Sequence, residues 1–319
     1  MGWTAADIPD QTGRTAVVTG ANGGLGLETA RALAAAGAHV VMAARNPEKA
    51  DAAIADIKRT VSDPSLELVA LDLASQASIR AAAERILAAH ERIDILVNNA
   101  GVMGIPERRT EDGFEMQLGV NHLGHFALTA LLMPALLRAD AARIVSVTST
   151  AHHMGRAVDP ANPHLHGTYE PWKAYGQSKL ANYHFAIGLQ RRLAAAGAPA
   201  ASLLAHPGLS NTDLQAVSVR ETGGGRSQKF FHMLAGRTGM SPEAGARPQL
   251  RAATDPRARG GDFWAPRFFN NGPPVRRPIL RRIGLDTAIA RLWEVSERET
   301  GLTIDVRGGG AAVPESVGR

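Results

Sequence analysis

Short runs of β-branched and apolar residues alternate with Ala- and Leu-rich stretches of helical period along the first two thirds of the chain. That order is expected of βαβ units whose parallel strands are covered on both faces. The runs TAVVT (15–19), HVVMAA (39–44), LELVALD (66–72) and IDILVNN (93–99) predict strands. Between them the spacing predicts helices from about Leu25 to Ala36, closed by Gly37, over about 47–61, and from about Ser75 to His90. A long helix from about Gly113 to Ala139, a strand over 142–149, a helix from about Pro171 to Gly197 and a strand over 201–206 continue the pattern. The polar stretch 152–170, rich in Pro and His, is predicted as a flexible loop at the mouth of a site. Beyond Gly208 the regularity declines, although Ser241-Pro242-Glu243 reads as an N-cap followed by Pro at the first helical position. The fold class that follows is α/β: one doubly wound parallel sheet with helices on both faces, spanning 1–302, and a disordered tail over 303–319.

Composition narrows the setting. A chain of 319 residues with 45% apolar and 20% charged content can bury a large core. The absence of cysteine rules out disulfides and thiolate metal sites and fits a reducing cytoplasm, the expected location. The first dozen residues lack a cationic start and apolar core, and no apolar run approaches the ~20 residues needed to span a bilayer. Formal charge is +5, and Arg220 to Arg282 holds thirteen basic residues against four acidic ones. These are scattered among Pro and Gly rather than aligned on a helix face, so they predict a solvated rim and neither a nucleic-acid nor a membrane surface.

Chemistry enters directly after the first strand, in Thr19-Gly20-Ala21-Asn22-Gly23-Gly24-Leu25-Gly26. A glycine-rich turn from strand into helix presents main-chain N–H groups and the positive helix end to a pyrophosphate, the dinucleotide-binding arrangement of a Rossmann fold. Gly20, Asn22, Gly24, Leu25 and Gly26 are therefore candidate cofactor contacts. At the end of the second strand, where a carboxylate would hold a ribose 2′-hydroxyl, stand Ala44 and Arg45. A guanidinium suits a 2′-phosphate, so NADP(H) is favoured, with NAD(H) the alternative.

Taken with Asn98-Asn99-Ala100-Gly101, Asn121, Ser149, Tyr175-x-x-x-Lys179 and Pro207-Gly208, this turn makes the chain similar over approximately 12–265 to the short-chain dehydrogenases/reductases. NHLGHF (121–126), STAHH (149–153), YGQSKLAN (175–182) and HPGLSNT (206–212) most resemble the retinol dehydrogenase and WW-domain oxidoreductase branch. A Ser149-to-Tyr175 interval roughly twice the usual one is typical of that branch. The resemblance implies that Asp72 and Leu73 lie near the adenine and Asn98 beside its ribose, with Asn99, Ala100 and Gly101 forming a turn. It also implies that Pro207, Gly208 and Thr212 line the nicotinamide, and that relatives pair through the helices around 113–139 and 171–197, giving a homodimer or homotetramer.

Carbonyl reduction needs a proton delivered to the developing oxyanion. A free phenol has a pKa of about 10, and a nearby cation favours its phenolate. Residues four apart share a helix face, so Lys179 can lie beside Tyr175 and also reach the cofactor ribose. Ser149 at its strand end would orient the substrate oxygen, and Asn121, by resemblance, would hold a water linking Lys179 to solvent. The candidate catalytic set is thus Asn121, Ser149, Tyr175 and Lys179. His152-His153 and His164-x-His166 lack the helical H-E-x-x-H arrangement, so no metal is expected. Segment 209–240, containing FFHML (230–234), is read as a C-terminal lid over a hydrophobic small-molecule carbonyl or alcohol, or else as core. The expected function is hydride transfer between NADP(H) and such a substrate, as in a retinol dehydrogenase or general carbonyl reductase. The alternative is an NADP(H)-binding sensor or scaffold without turnover.

Overall fold

A computed structural model of the chain describes residues 2–209, 239–280 and 283–307. Its strands are β1 (Thr15–Thr19), β2 (His39–Ala44), β3 (Leu66–Ala70), β4 (Ile95–Asn98), β5 (Arg143–Val147), β6 (Ala201–Ala205), β7 (Phe263–Pro266) and β8 (Pro274–Arg277). They form one sheet in the order β3-β2-β1-β4-β5-β6-β7-β8. All neighbours are parallel except β7 and β8, which are antiparallel. The strand order reverses between β1 and β4, and the crevice beyond their carboxyl ends is where open α/β sheets bind ligands.

The helices are α1 (Gly24–Ala35), α2 (Pro47–Thr60), α3 (Gln76–Ala89), α4 (Met116–Leu118), α5 (Gly124–Leu137), α6 (Pro171–Ala195), α7 (Pro242–Thr254) and α8 (Leu285–Thr300). Side-chain caps start four of them: Asn46 accepts from Lys49 N–H, Ser75 from Ser78 N–H, Glu115 from Gln117 N–H and Leu118 N–H, and Ser241 from Ala244 N–H. Strand residues alternate between two apolar layers. Val17, Val41, Leu96 and Ile144 share a layer with α3, α5, α6 and α8. Ala16, Val18, Val40 and Met42 face the other, with α1 and α7.

The doubly wound α/β architecture agrees with the alternating pattern, with corrections. The strands expected over 66–72, 93–99 and 142–149 end at Ala70, Asn98 and Val147, where the chain turns outward into loops. The single helix expected over 113–139 is interrupted: Glu115 caps α4, Gly119–Leu123 forms a π-helical turn, and α5 follows. Among the described residues after Gly208, regular elements recur as α7, β7, β8 and α8. β7 and β8 are too short to show a period. α8 carries a readable stripe of Leu285, Ile289, Leu292, Trp293 and Ser296, bounded by Gly284 and Gly301 in left-handed conformation. Packed chain also continues past 302, because Ile304 is buried; residues 308–319 of the expected tail lie outside the described residues.

Three further expectations change. The loop 152–170 is tied down rather than free. His164 accepts from Glu115 N–H and meets Glu299, Gln177 donates to Pro163 O, and the Tyr169 hydroxyl donates to Ile105 O at 2.8 Å. Not all of the basic rim is solvated, because Arg251 stacks on Trp264 at 4.3 Å and bonds Asp255 and Pro274 O. A 22-residue stretch, Met116–Leu137, is long and apolar enough to cross a bilayer, contrary to the expectation from composition, but most of it is buried inside the fold. Within this chain α5 packs on α3, and α6 packs on the turn at 150–153, on β6 and on α8.

The contact of α6 with α8 is close. A Cβ on Gly188 would stand 2.5 Å from Trp293 Cζ3 and 2.8 Å from Ile289 Cγ2. Trp293 also stacks on Phe185 at 5.4 Å and carries Arg192 over its ring at 3.8 Å. Gly188→Val is expected to lower unfolding free energy by roughly 1–3 kcal/mol through overpacking, read as a lower urea midpoint; an unchanged midpoint would contradict this packing.

Candidate active site

The carboxyl ends of the parallel strands carry nearly every residue singled out from the sequence. Gly20 follows β1, Arg45 follows β2, and Asp72 and Leu73 lie just past β3. Asn98 ends β4 and leads into Ala100 and Gly101, Ser149 lies two residues beyond β5, and Pro207 and Gly208 follow β6. Thr212 and most of segment 209–240 lie outside the described residues. The two ends of that segment meet beside Gly208, where Met240 N–H donates to Leu209 O at 2.8 Å and Leu209 N–H donates to Asn270 O at 3.0 Å.

The glycine turn is shaped by contacts that no side chain would survive. Gly20 has φ +67°, and a Cβ there would lie 3.1 Å from the Ala100 backbone. On Gly26 it would lie 2.2 Å from Gly20 O. Unlike α2, α3 and α7, α1 has no side-chain cap at its N-cap, Gly23, so its first N–H groups have no capping acceptor. Asn98 donates to Thr129 Oγ1, while its buried Oδ1 has no hydrogen-bond partner among the described residues. An uncapped helix start behind a glycine cradle, with an orphaned carboxamide oxygen nearby, fits a dinucleotide phosphate and ribose.

Beneath the turn, Thr19 accepts hydrogen bonds from Asn99 N–H and Ala100 N–H at 2.9 and 3.0 Å. Its hydroxyl also meets His125 Nε2 at 2.9 Å, while His125 Nδ1 lies 3.0 Å from Asn121 O. A carbonyl can only accept, so Nδ1 carries the proton and Nε2 accepts from Thr19. Burial lowers the pKa of His125 to about 4, keeping the imidazole neutral in this role. Asn121 sits in the π-helical turn, where its carboxamide accepts from Val102 N–H and donates to Val102 O and Ser178 Oγ. Thr19, His125 and Ser178 stand inside motifs read from the sequence but were given no role there, because each acts across more than 50 residues of chain.

Tyr175 and Lys179 lie on α6, each 5% exposed, with the ammonium 5.8 Å from the centre of the phenol ring. Ser149 Oγ is within hydrogen-bonding reach of the phenol. Lys179 Nζ donates to Val147 O at 3.4 Å, and Asn182 donates to the same carbonyl. A Cβ on Gly101 would meet Asn121 Oδ1 at 2.9 Å and Lys179 Nζ at 3.4 Å, so Gly101, Asn121 and Lys179 are neighbours.

Burial raises the Tyr175 pKa to about 12, with the Ser149 bond working the other way. Burial lowers Lys179 to about 8. Burial is the leading cause of both shifts and disfavours the charged form of each group. The arrangement can hold a protonated phenol beside an ammonium that sheds its proton easily. His206, directly before Pro207, is buried. Burial first, then His152 and His153, lower its pKa to about 3.

Comparison with known proteins agrees with this geometry. Residues 14–222 match the family model for short chain dehydrogenase. The chain is 43% identical over 259 residues to mouse polyprenol dehydrogenase, covering 79% of this chain and 75% of that one. It is 38% identical over 298 residues to human retinol dehydrogenase 11, covering 92% and 87%. A crystal structure of an uncharacterized Mycobacterium paratuberculosis protein superposes with a TM-score of 0.76 at 40% identity, covering 96% of this chain and all of that one. The chain therefore belongs to the short chain dehydrogenase family, in its retinol dehydrogenase branch, and is a pyridine-nucleotide-dependent oxidoreductase acting on CH–OH or C=O groups.

Proposed function

We propose that this chain transfers a hydride between NADP(H) and a hydrophobic carbonyl or alcohol, with Tyr175 as proton donor and acceptor. The observation that carries the reading is the buried Tyr175–Lys179 pair beyond the carboxyl end of β5, with Ser149 in reach of the phenol. The main chain of Gly20, Asn22, Gly24, Leu25 and Gly26 would hold the pyrophosphate and Arg45 the 2′-phosphate. Asp72 and Leu73 would border the adenine, Asn98, Ala100 and Gly101 the adjoining ribose, and Pro207, Gly208 and Thr212 the nicotinamide. Arg45 supports the phosphate preference: it is exposed, makes no hydrogen bond or ion pair among the described residues, and has no carboxylate in the place that would repel a phosphate.

When bound, the nicotinamide supplies or accepts the hydride. Tyr175 Oη gives its proton to the substrate oxygen as negative charge develops there, and Ser149 Oγ donates a second bond to the same oxygen. Lys179 Nζ stabilises the phenolate that remains and returns a proton to it. Asn121 is a positioning residue, its carboxamide engaged by Val102 and Ser178. Trp172 stands edge-on to Tyr175 at 5.9 Å and supplies an apolar wall beside the phenol. That wall, and relatives named for polyprenol and retinol, support a hydrophobic and isoprenoid-like substrate.

Three outcomes test the proposal. NADPH absorbance should fall on adding hydrophobic aldehydes or ketones, and Tyr175→Phe should lower kcat at least ~100-fold while NADPH affinity survives. Retained turnover would overturn the assignment of Tyr175. Arg45→Asp should shift the NADPH-to-NADH ratio of kcat/KM toward NADH by roughly 10- to 100-fold, the worth of charged hydrogen bonds of about 1.5–3 kcal/mol. An unshifted ratio would remove Arg45 from the site.

The third outcome concerns stability. The pKa of Lys179 is about 8 in the folded chain against 10.5 as its ordinary value. Between those values the unfolded chain binds the extra proton, so stability rises with pH. Cofactor-free Lys179→Met should thus be more stable than the parent at pH 7, by up to roughly 3 kcal/mol, with the difference closing as pH rises from about 8 to 10.5. Thermal unfolding of both proteins across that range checks the sign.

A further inference from the structure

At the amino-terminal ends of the strands, opposite the catalytic edge, three side chains from separate elements converge. His39 opens β2, Glu67 lies on β3, and His90 caps the end of α3. One ligand atom from each lies within 4.8 Å of the other two. His90 Nε2 is 2.8 Å and His39 Nε2 is 3.7 Å from the same oxygen, Glu67 Oε2. The second distance is too long for a hydrogen bond, and the buried His39 Nε2 makes none among the described residues. Two ligands of a tetrahedral zinc, each about 2.0–2.1 Å from the metal, stand about 3.4 Å apart.

The surroundings are arranged as outer-shell partners are around metal ligands. His39 Nδ1 lies 2.8 Å from Ser65 Oγ; donating its proton there, it leaves the Nε2 lone pair facing Glu67. The other carboxylate oxygen, Oε1, is held by Arg85 Nε at 3.5 Å. Backbone bonding fixes two of the ligands, since Val40 N–H donates to Ser65 O and His90 N–H to Ile86 O, both at 2.9 Å. The three side chains are 31%, 21% and 14% exposed, so an ion can enter from solvent.

From this geometry we infer that His39, Glu67 and His90 form a binding site for a divalent transition-metal ion of the zinc class, with water completing the coordination. Two neutral imidazoles and one carboxylate match the borderline character of Zn²⁺, and three protein ligands leave one open position. The ion would clasp edge strand β3 to β2 and α3. No hydride chemistry involves it, because the site opens at the opposite end of the sheet from Tyr175. The histidines of loop 152–170 are not part of it.

The test uses the full chain, tag-free and stripped with a chelator, titrated with Zn²⁺ by calorimetry. One equivalent should bind with Kd below about 10 μM, and Zn²⁺ should raise Tm in a concentration-dependent way. His39→Gln, Glu67→Gln and His90→Gln should each weaken binding at least ~10-fold. Ser65→Ala, which keeps all three ligands, should weaken it by roughly 10-fold. Metal-free circular dichroism matching the parent establishes that each variant folds. If a ligand variant fails to fold, Ser65→Ala and the d–d absorption of Co²⁺ bound to the parent protein decide the matter. A parent Kd weaker than about 10 μM, or binding lost in His166→Gln but kept in the ligand variants, would overturn the site.

Discussion

The site depends on the carboxamide of Asn121, which acts as a strand partner for a residue with none. It bonds both main-chain groups of Val102 and reaches Ser178 on α6, fixing the distance between the loop after β4 and the helix that carries Tyr175 and Lys179. A regular helix over 113–139 would carry Asn121 at another angle. The π-helical turn supplies an extra residue at that point, and Glu115, pushed up to about 7 by burial, caps the helix start before it. Ser178 in turn donates to Tyr175 O, so the same clamp reaches the backbone of Tyr175.

Around this clamp the protein keeps most buried titratable groups uncharged. His122, His125 and His206 are all held well below the ordinary histidine range by burial, and the Tyr175 phenol is held above its own. Lys179 is the exception: at about 8 it stays mainly charged at neutral pH in a setting that disfavours the charge. Its nearest acceptor is Val147 O at 3.4 Å, a weak substitute for hydration. A group destabilised in this way is sensitive to anything negative placed beside it, which is what a phenolate and a cofactor's phosphates would bring.

Sequence and structure agree where the physics is local. Strands β1 and β2 match the β-branched runs to the residue, Gly37 closes α1 with φ +94°, and Ser241 caps α7 as its spacing implies. The candidate site was legible because its residues cluster at strand ends and in two short motifs. What was not legible is long-range. Thr19 meets His125 across 106 residues, and Gln249 donates to Thr29 across 220. Motif spacing reveals the cation beside Tyr175 but not the depth of burial that raises the pKa of the phenol. The α8 stripe was overlooked although its period is plain, and its main partner is the distant Gly188 surface of α6.

The backbone bond between Leu209 and Met240 separates two kinds of design problem. It staples the base of the intervening segment to the sheet, next to Gly208, whatever sequence lies between. Loop-closure entropy grows only with the logarithm of length, about 0.6 kcal/mol per doubling. Changes of length between Leu209 and Met240 therefore cost the fold little, and the helix that carries Tyr175 and Lys179 is anchored elsewhere.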